Sequence, residues 1–169
     1  MFKVKPVVEL PPLPDSARSI SGNGITFRVA PLLSDEESQE LFEANLPVAG
    51  ILPVRMELVY DGAPPVEINR ARFRLRDGEG LEWKILTTKQ AVSRIMKAND
   101  IYAYNPNSRK RFEKEFGAYE IDLKTPATPA DRRQGFLFFQ TPDKEPVASP
   151  RGLTLIVERL PQPIELKIN

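Results

Sequence analysis

Apolar residues alternate with polar ones at several places along the chain, and the first clear case is residues 25–30. There Ile25, Phe27 and Val29 alternate with Thr26 and Arg28, the period of a half-buried strand. Residues 54–60 repeat the pattern, with Val54, Met56, Leu58 and Tyr60 sharing one face. Asp61 and Gly62, followed by Pro64 and Pro65, predict a turn. Residues 68–76 then read Ile-Asn-Arg-Ala-Arg-Phe-Arg-Leu-Arg. Ala71, Phe73 and Leu75 are expected to face a core, and Arg70, Arg72, Arg74 and Arg76 to face away. Val66 and Ile68 share the arginines' parity, which predicts a bulge near Asn69. A turn over residues 77–80 leads into 81–86, with Leu81, Trp83 and Ile85 expected inward. These three segments predict an antiparallel meander. Further strands are expected over 118–124, 135–140, 152–160 and 163–168.

Helical spacing interrupts the strands twice. Ser34 stands three residues before Glu37, the signature of a capping box, and Asp35, Glu36 and Glu37 crowd the first turn. This acidic helix, with Glu40 and Glu43, is expected to run to Pro47. Within 87–117, Ala91, Val92, Ile95 and Met96 fall at helical spacing, as do Phe112 and Phe116, with Gly117 as a stop. The pattern predicts a helical insertion whose two phenylalanines are core. The resulting fold class is mainly β: an immunoglobulin-like antiparallel β-sandwich with a short acidic helix and a helical insertion.

Seventeen prolines, about twice the usual share of roughly 5%, strengthen the β reading. Pro11, Pro12 and Pro14 lie in residues 1–22, which are expected to form a proline-rich tether to one domain spanning 23–169. No stretch approaches the roughly 20 apolar residues that cross a bilayer. The first residues lack the apolar core and cleavage site of a signal peptide. An exported or periplasmic location is therefore expected if a leader has been removed, and a cytoplasmic one otherwise.

Residues 41–62, LFEANLPVAGILPVRMELVYDG, followed by GFLFFQTP and LTLIVERL, resemble uncharacterised bacterial immunoglobulin-like β-sandwich domains of exported or lipid-anchored proteins. In these a short helix leads through a Gly-Ile-Leu-Pro-Val step into the first long strand. The resemblance implies the architecture and an envelope setting; its motifs are structural, and it implies no site residues.

Histidine and cysteine are absent, so thiol nucleophiles, disulfides, zinc fingers and Ser-His-Asp triads are excluded. No cofactor is expected. Asp35, Glu36 and Glu37 lack the alternating spacing of a calcium loop, and Asp100, Asp122 and Asp131 are too scattered to predict a paired-acid centre. Arg109, Lys110, Arg111 and Lys114 are diluted by Glu113 and Glu115, as on the solvated face of an amphipathic helix.

The arginine row remains. If the strands of 54–60 and 81–86 flank it, one face carries Arg55, Arg70, Arg72, Arg74, Arg76 and Lys84 against Glu57 and Glu82. That excess can be offset by water and salt around splayed arginines, by an internal acidic element, with the helix at 34–45 as the obvious one, or by an acidic protein partner or self-association. A net charge of +1 makes no global case for nucleic acid. The sequence thus points to a non-enzymatic accessory or binding module, with Arg55, Arg70, Arg72, Arg74, Arg76 and Lys84 as the candidate interaction surface. An enzyme or carbohydrate-binding protein built on the 87–117 insertion is the alternative, Tyr102, Tyr104 and, if exposed, Trp83 being its stacking candidates. An anion or nucleic-acid binder using the Arg70–Arg76 face is another.

Overall fold

The alternation of residues 25–31 sets the pattern for the whole sheet: Ile25, Phe27 and Val29 are buried while Thr26 and Arg28 are half-buried on the other face. The computed structural model describes residues 4–7, 10–101, 105–160 and 163–169. Tyr102 and Tyr104 lie outside the described residues. Among those described, the strands are β1 (Arg18–Gly22), β2 (Ile25–Pro31), β3 (Ile51–Tyr60), β4 (Arg72–Arg76), β5 (Glu82–Ile85), β6 (Asp131–Gln140), β7 (Thr154–Glu158) and β8 (Ile164–Lys167). The helices are α1 (Asp35–Phe42), α2 (Thr88–Ala98) and α3 (Pro106–Gly117).

The protein is mainly β, and every strand pair is antiparallel. The strands follow one continuous order, β1-β2-β3-β6-β5-β4-β7-β8, and β1 and β8 at its ends approach each other. The sheet is therefore barrel-like and nearly closed, which corrects the expectation of two stacked sheets. The meander holds in its second half, where β4 pairs with β5, and is corrected in its first. β3 pairs with β2 and β6, whereas β4 pairs with β5 and β7.

Two cores result, one on each side of the wall formed by β3 and β6. Phe27, Val54, Met56, Leu58, Phe73, Leu75, Trp83, Leu137, Phe139, Leu155 and Val157 fill the barrel interior. On the outer side Phe42, Ile95, Phe112, Phe116, Tyr119, Phe136 and Phe138 bind the helices to the sheet. β6 serves both, since Phe136 and Phe138 face the helices while Leu137 and Phe139 face inward. Phe112 and Phe116 are buried as the helical spacing predicts.

Local signals hold at most element ends. Ser34 Oγ accepts the Glu37 N–H at 3.3 Å and starts α1, although the helix stops at Glu43 in the left-handed conformation (φ 52°), short of Pro47. Thr87 and Gln90 form a reciprocal capping box on α2. The bulge expected at Asn69 is instead a turn, closed by the Ala71 N–H on the Ile68 carbonyl at 3.0 Å.

Residues 118–124 are not a strand. They make one isolated bridge, Glu120 to Phe136, as the chain passes from Tyr119 in the outer core to Ile121 in the inner one. Leu81 and Ile85 are exposed, at 48% and 44%, while Trp83 between them is buried. The reason lies in the path of β5, which pairs with β4 only at Trp83 and Glu82 and with β6 only at Lys84 and Ile85.

The N-terminal residues read as a tether lie against the body. The Lys5 N–H donates to the Leu41 carbonyl at 2.8 Å, the Tyr119 hydroxyl donates to the Lys5 carbonyl, and Val4, Val7 and Leu10 pack on the outer core. Arg18–Gly22 then pairs with β2. Deleting residues 1–14 is expected to lower the unfolding free energy by on the order of 2 kcal/mol, as partial burial of several aliphatic side chains implies. Urea midpoints of the full and shortened chains check this; a difference of a few tenths would mean that the segment adds no stability.

Candidate binding groove beside the arginine strand

In β4 the side chains of Phe73 and Leu75 enter the core, leaving Arg72 and Arg76 exposed and Arg74 half-buried on the outer face. Arg70 precedes the strand and is exposed in the turn. Lys84 is exposed on β5. Arg55 does not join them. It belongs to β3, is only 5% exposed, and sits under the proline segment, donating to the Pro11 carbonyl.

Neutralisation of the row comes from glutamates of neighbouring strands. Arg74 holds Glu82 with both ends of its guanidinium, Nε to Oε1 at 2.9 Å and Nη2 to Oε2 at 3.2 Å. Its Nη1 donates to Glu158 Oε1 at 2.6 Å. The Arg74 hydrogen bond is the main reason that the Glu82 carboxyl lies below its usual range. Arg76 reaches Glu165 at 3.8 Å. The acidic helix α1 plays no such part: the ion pair it makes among the described residues is Glu40 with Lys5, at 3.2 Å. This corrects the expected pairing of the row with residues 34–45. Glu158 and Glu165 were missed because they lie far downstream, on strands whose register the local pattern does not reveal.

Arg70 and Arg72 have no ion-pair partner among the described residues. Beside Arg72 a groove of about 710 Å³ opens where β4 and β5 part. β5 turns away to β6 after Trp83, so among the described residues no strand pairs with Arg72, Phe73 and Arg74 on that flank. Phe73, Trp83, Ile85 and Leu123 give the groove apolar walls, with Arg72 and Lys84 as its cations and Glu82 and Glu158 engaged by Arg74. Asp77 holds the β4–β5 turn beneath it, accepting from Trp83 Nε1 at 3.0 Å and from the Glu79 and Leu81 N–H groups at 2.9 and 3.0 Å. Partial burial opposes the charge of Asp77, yet these hydrogen bonds keep its carboxyl below the usual range. An open strand flank with alternating apolar and charged side chains can accept an extended peptide by backbone pairing.

Asp122 and Asp131 are each engaged by neighbouring groups. Asp122 accepts from the Lys124 and Thr125 N–H groups, and hydrogen bonds from Thr125 and Lys124 pull its carboxyl down to about 2. Asp131 pairs with Arg133 at 2.7 Å, and that bond chiefly lowers its carboxyl as well. Among the described residues no three acidic side chains gather as a metal site would require.

These depressed carboxylates set an acid limit. A carboxyl that folding depresses stabilises the native state above its unfolded value, and the stabilisation is lost as pH falls through the folded value. For Asp122 that window runs from near 3.8 down to about 2, with Asp77, Glu82 and Asp131 acting in the same direction. Denaturant midpoints should hold steady above about pH 5 and fall continuously below about pH 4. Midpoints unchanged to pH 2.5 would contradict the assignment.

Comparison of the chain with protein families, curated proteins and solved structures finds no match. Among the described residues no helix is long and apolar enough to cross a membrane.

Proposed function

We propose that this protein is a non-enzymatic binding module that takes an extended acidic segment of a partner protein into the groove between β4 and β5. The observation that carries the reading is the unpaired flank of Arg72, Phe73 and Arg74 above a groove of about 710 Å³. An incoming strand would find backbone groups along that flank, apolar contacts at Ile85 and Leu123 beside the largely buried Phe73 and Trp83, and cations at Arg72 and Lys84. Glu82, Glu158 and Glu165 break the basic row, which disfavours a continuous phosphate backbone and favours short acidic segments. The absence of His and Cys supports the non-enzymatic part. The envelope-associated setting rests on the resemblance of residues 41–62 to segments of exported bacterial proteins, whose sandwich architecture this chain does not share.

Trp83 is the single tryptophan and lines the groove, so its fluorescence reports occupancy. A peptide of alternating valine and glutamate should change that fluorescence saturably, with affinity falling as salt rises. Reversing both cations, Arg72→Glu with Lys84→Glu, should weaken binding by about tenfold or more, which is roughly 1.4 kcal/mol, without altering the circular dichroism. Equal binding by the reversed variant, or preference for a single-stranded oligonucleotide, would overturn the reading.

A further inference from the structure

A second pocket, of about 240 Å³, lies on the outer face of β3 beneath the proline segment and shares no lining residue with the β4–β5 groove. Its polar lining is Arg55 with Glu37 and Glu40, and the electrostatics of Arg55 are incomplete. A guanidinium withdrawn from water needs an anion or a full set of acceptors. Arg55 is 5% exposed and is in none of the ion pairs of the described residues. Its Nη2 donates to the Pro11 carbonyl and, at 3.5 Å, to Gln134 Oε1. Its buried Nε has no hydrogen-bond partner among the described residues. Glu57, two residues along β3, acts on it electrostatically but is itself 4.0 Å from Arg28.

We propose that this cavity binds a short-chain aliphatic monocarboxylate, with Arg55 as the residue that holds the carboxylate. A carboxylate matches the guanidinium fork and supplies the charge that a single peptide carbonyl lacks. On Nη2 the ligand carboxylate takes the place of the Pro11 carbonyl, so binding requires that contact to open. Leu10, Ala30, Leu32, Leu41 and Phe136 line the rest of the space, which suits a hydrocarbon tail. The volume exceeds the roughly 150 Å³ that suffices to hold benzene in an apolar cavity. Glu37 and Glu40 also border the pocket, Glu40 being paired with Lys5. Their charges discriminate against a second carboxylate, so a dicarboxylate of equal length is a poor ligand.

Calorimetric titration of the full chain with hexanoate and with adipate, at fixed ionic strength, tests the assignment. Hexanoate should bind saturably, and adipate about tenfold more weakly or worse. Arg55→Gln should reduce hexanoate affinity by about tenfold or more, while Arg28→Gln, outside the pocket, should not. Ala30→Leu, at the position paired with Arg55 across β2 and β3, fills the cavity while keeping the cation's charge and should abolish binding; it decides the matter by itself if Arg55→Gln does not fold. No saturable hexanoate binding, adipate bound as tightly as hexanoate, or wild-type affinity in Ala30→Leu would overturn the proposal.

Discussion

Phe116→Ala is expected to destabilise the protein by about 3–5 kcal/mol, the range for deleting a fully buried phenyl ring. Phe116 is 0% exposed and is the ring through which α3 meets the sheet. Its centroid lies 4.6 Å from that of Phe138, 5.2 Å from Phe42 and 5.7 Å from Phe112. Those neighbours belong to β6, α1 and α3, so a cavity here loosens three elements at once. Domains of this size are stable by only about 5–15 kcal/mol, so the loss would be visible as a large drop in the urea midpoint. A change below about 1 kcal/mol would mean that the helices are not packed on β6 as described.

The second large effect is expected from Gly135→Ala. A Cβ at this position would lie 2.6 Å from both the Cα and the N of Ile121, and 2.8 Å from the Tyr119 carbonyl oxygen. These are backbone atoms, and no rotamer change removes them. The crossing segment 119–121 is also bonded here, with the Phe136 N–H on the Tyr119 carbonyl at 2.6 Å and the Ile121 N–H on the Phe136 carbonyl at 3.2 Å. One methyl group therefore has to push the segment off β6, at a cost of about 3 kcal/mol, the upper part of the range for overpacking. Gly22 provides the control, because a Cβ there meets nothing within 4 Å. Thermal melts should show Gly22→Ala near the parent and Gly135→Ala far below it. Equal melting temperatures would place residues 119–121 elsewhere.

Gly135 also shows where sequence reading runs out. The alternation in β2 and β3, the Ser34 cap and the Phe112–Phe116 spacing are local signals, and each survives in the structure. What joins these elements is not local. β4 pairs with β7, so that Arg72 stands opposite Glu158, and nothing within either segment specifies that register. The arginine row was legible as a strand, but its neutralising glutamates depend on pairings from β5, β7 and β8. Likewise Leu81 and Ile85 follow the right period and are exposed, because β5 changes neighbours midway and leaves one side open. The prolines of residues 11–14 signalled an extended chain. The docking of the N-terminal segment depends on Leu41 and Tyr119, which hold Lys5, and on Arg55, which holds Pro11.

The central claim is that the flank of β4 beside the groove receives an extended acidic strand. Its most direct measurement is amide hydrogen exchange by nuclear magnetic resonance, with and without the alternating valine–glutamate peptide. Amides of Arg72–Arg74 that face the groove should exchange fast in the free protein, because no strand pairs there. They should become protected on peptide addition, with shift changes concentrated at Arg72–Arg74 and Trp83–Ile85 and none at Arg55. Strong protection of those amides before any peptide is added, or peptide-induced shifts centred on α1 or α3, would contradict the claim.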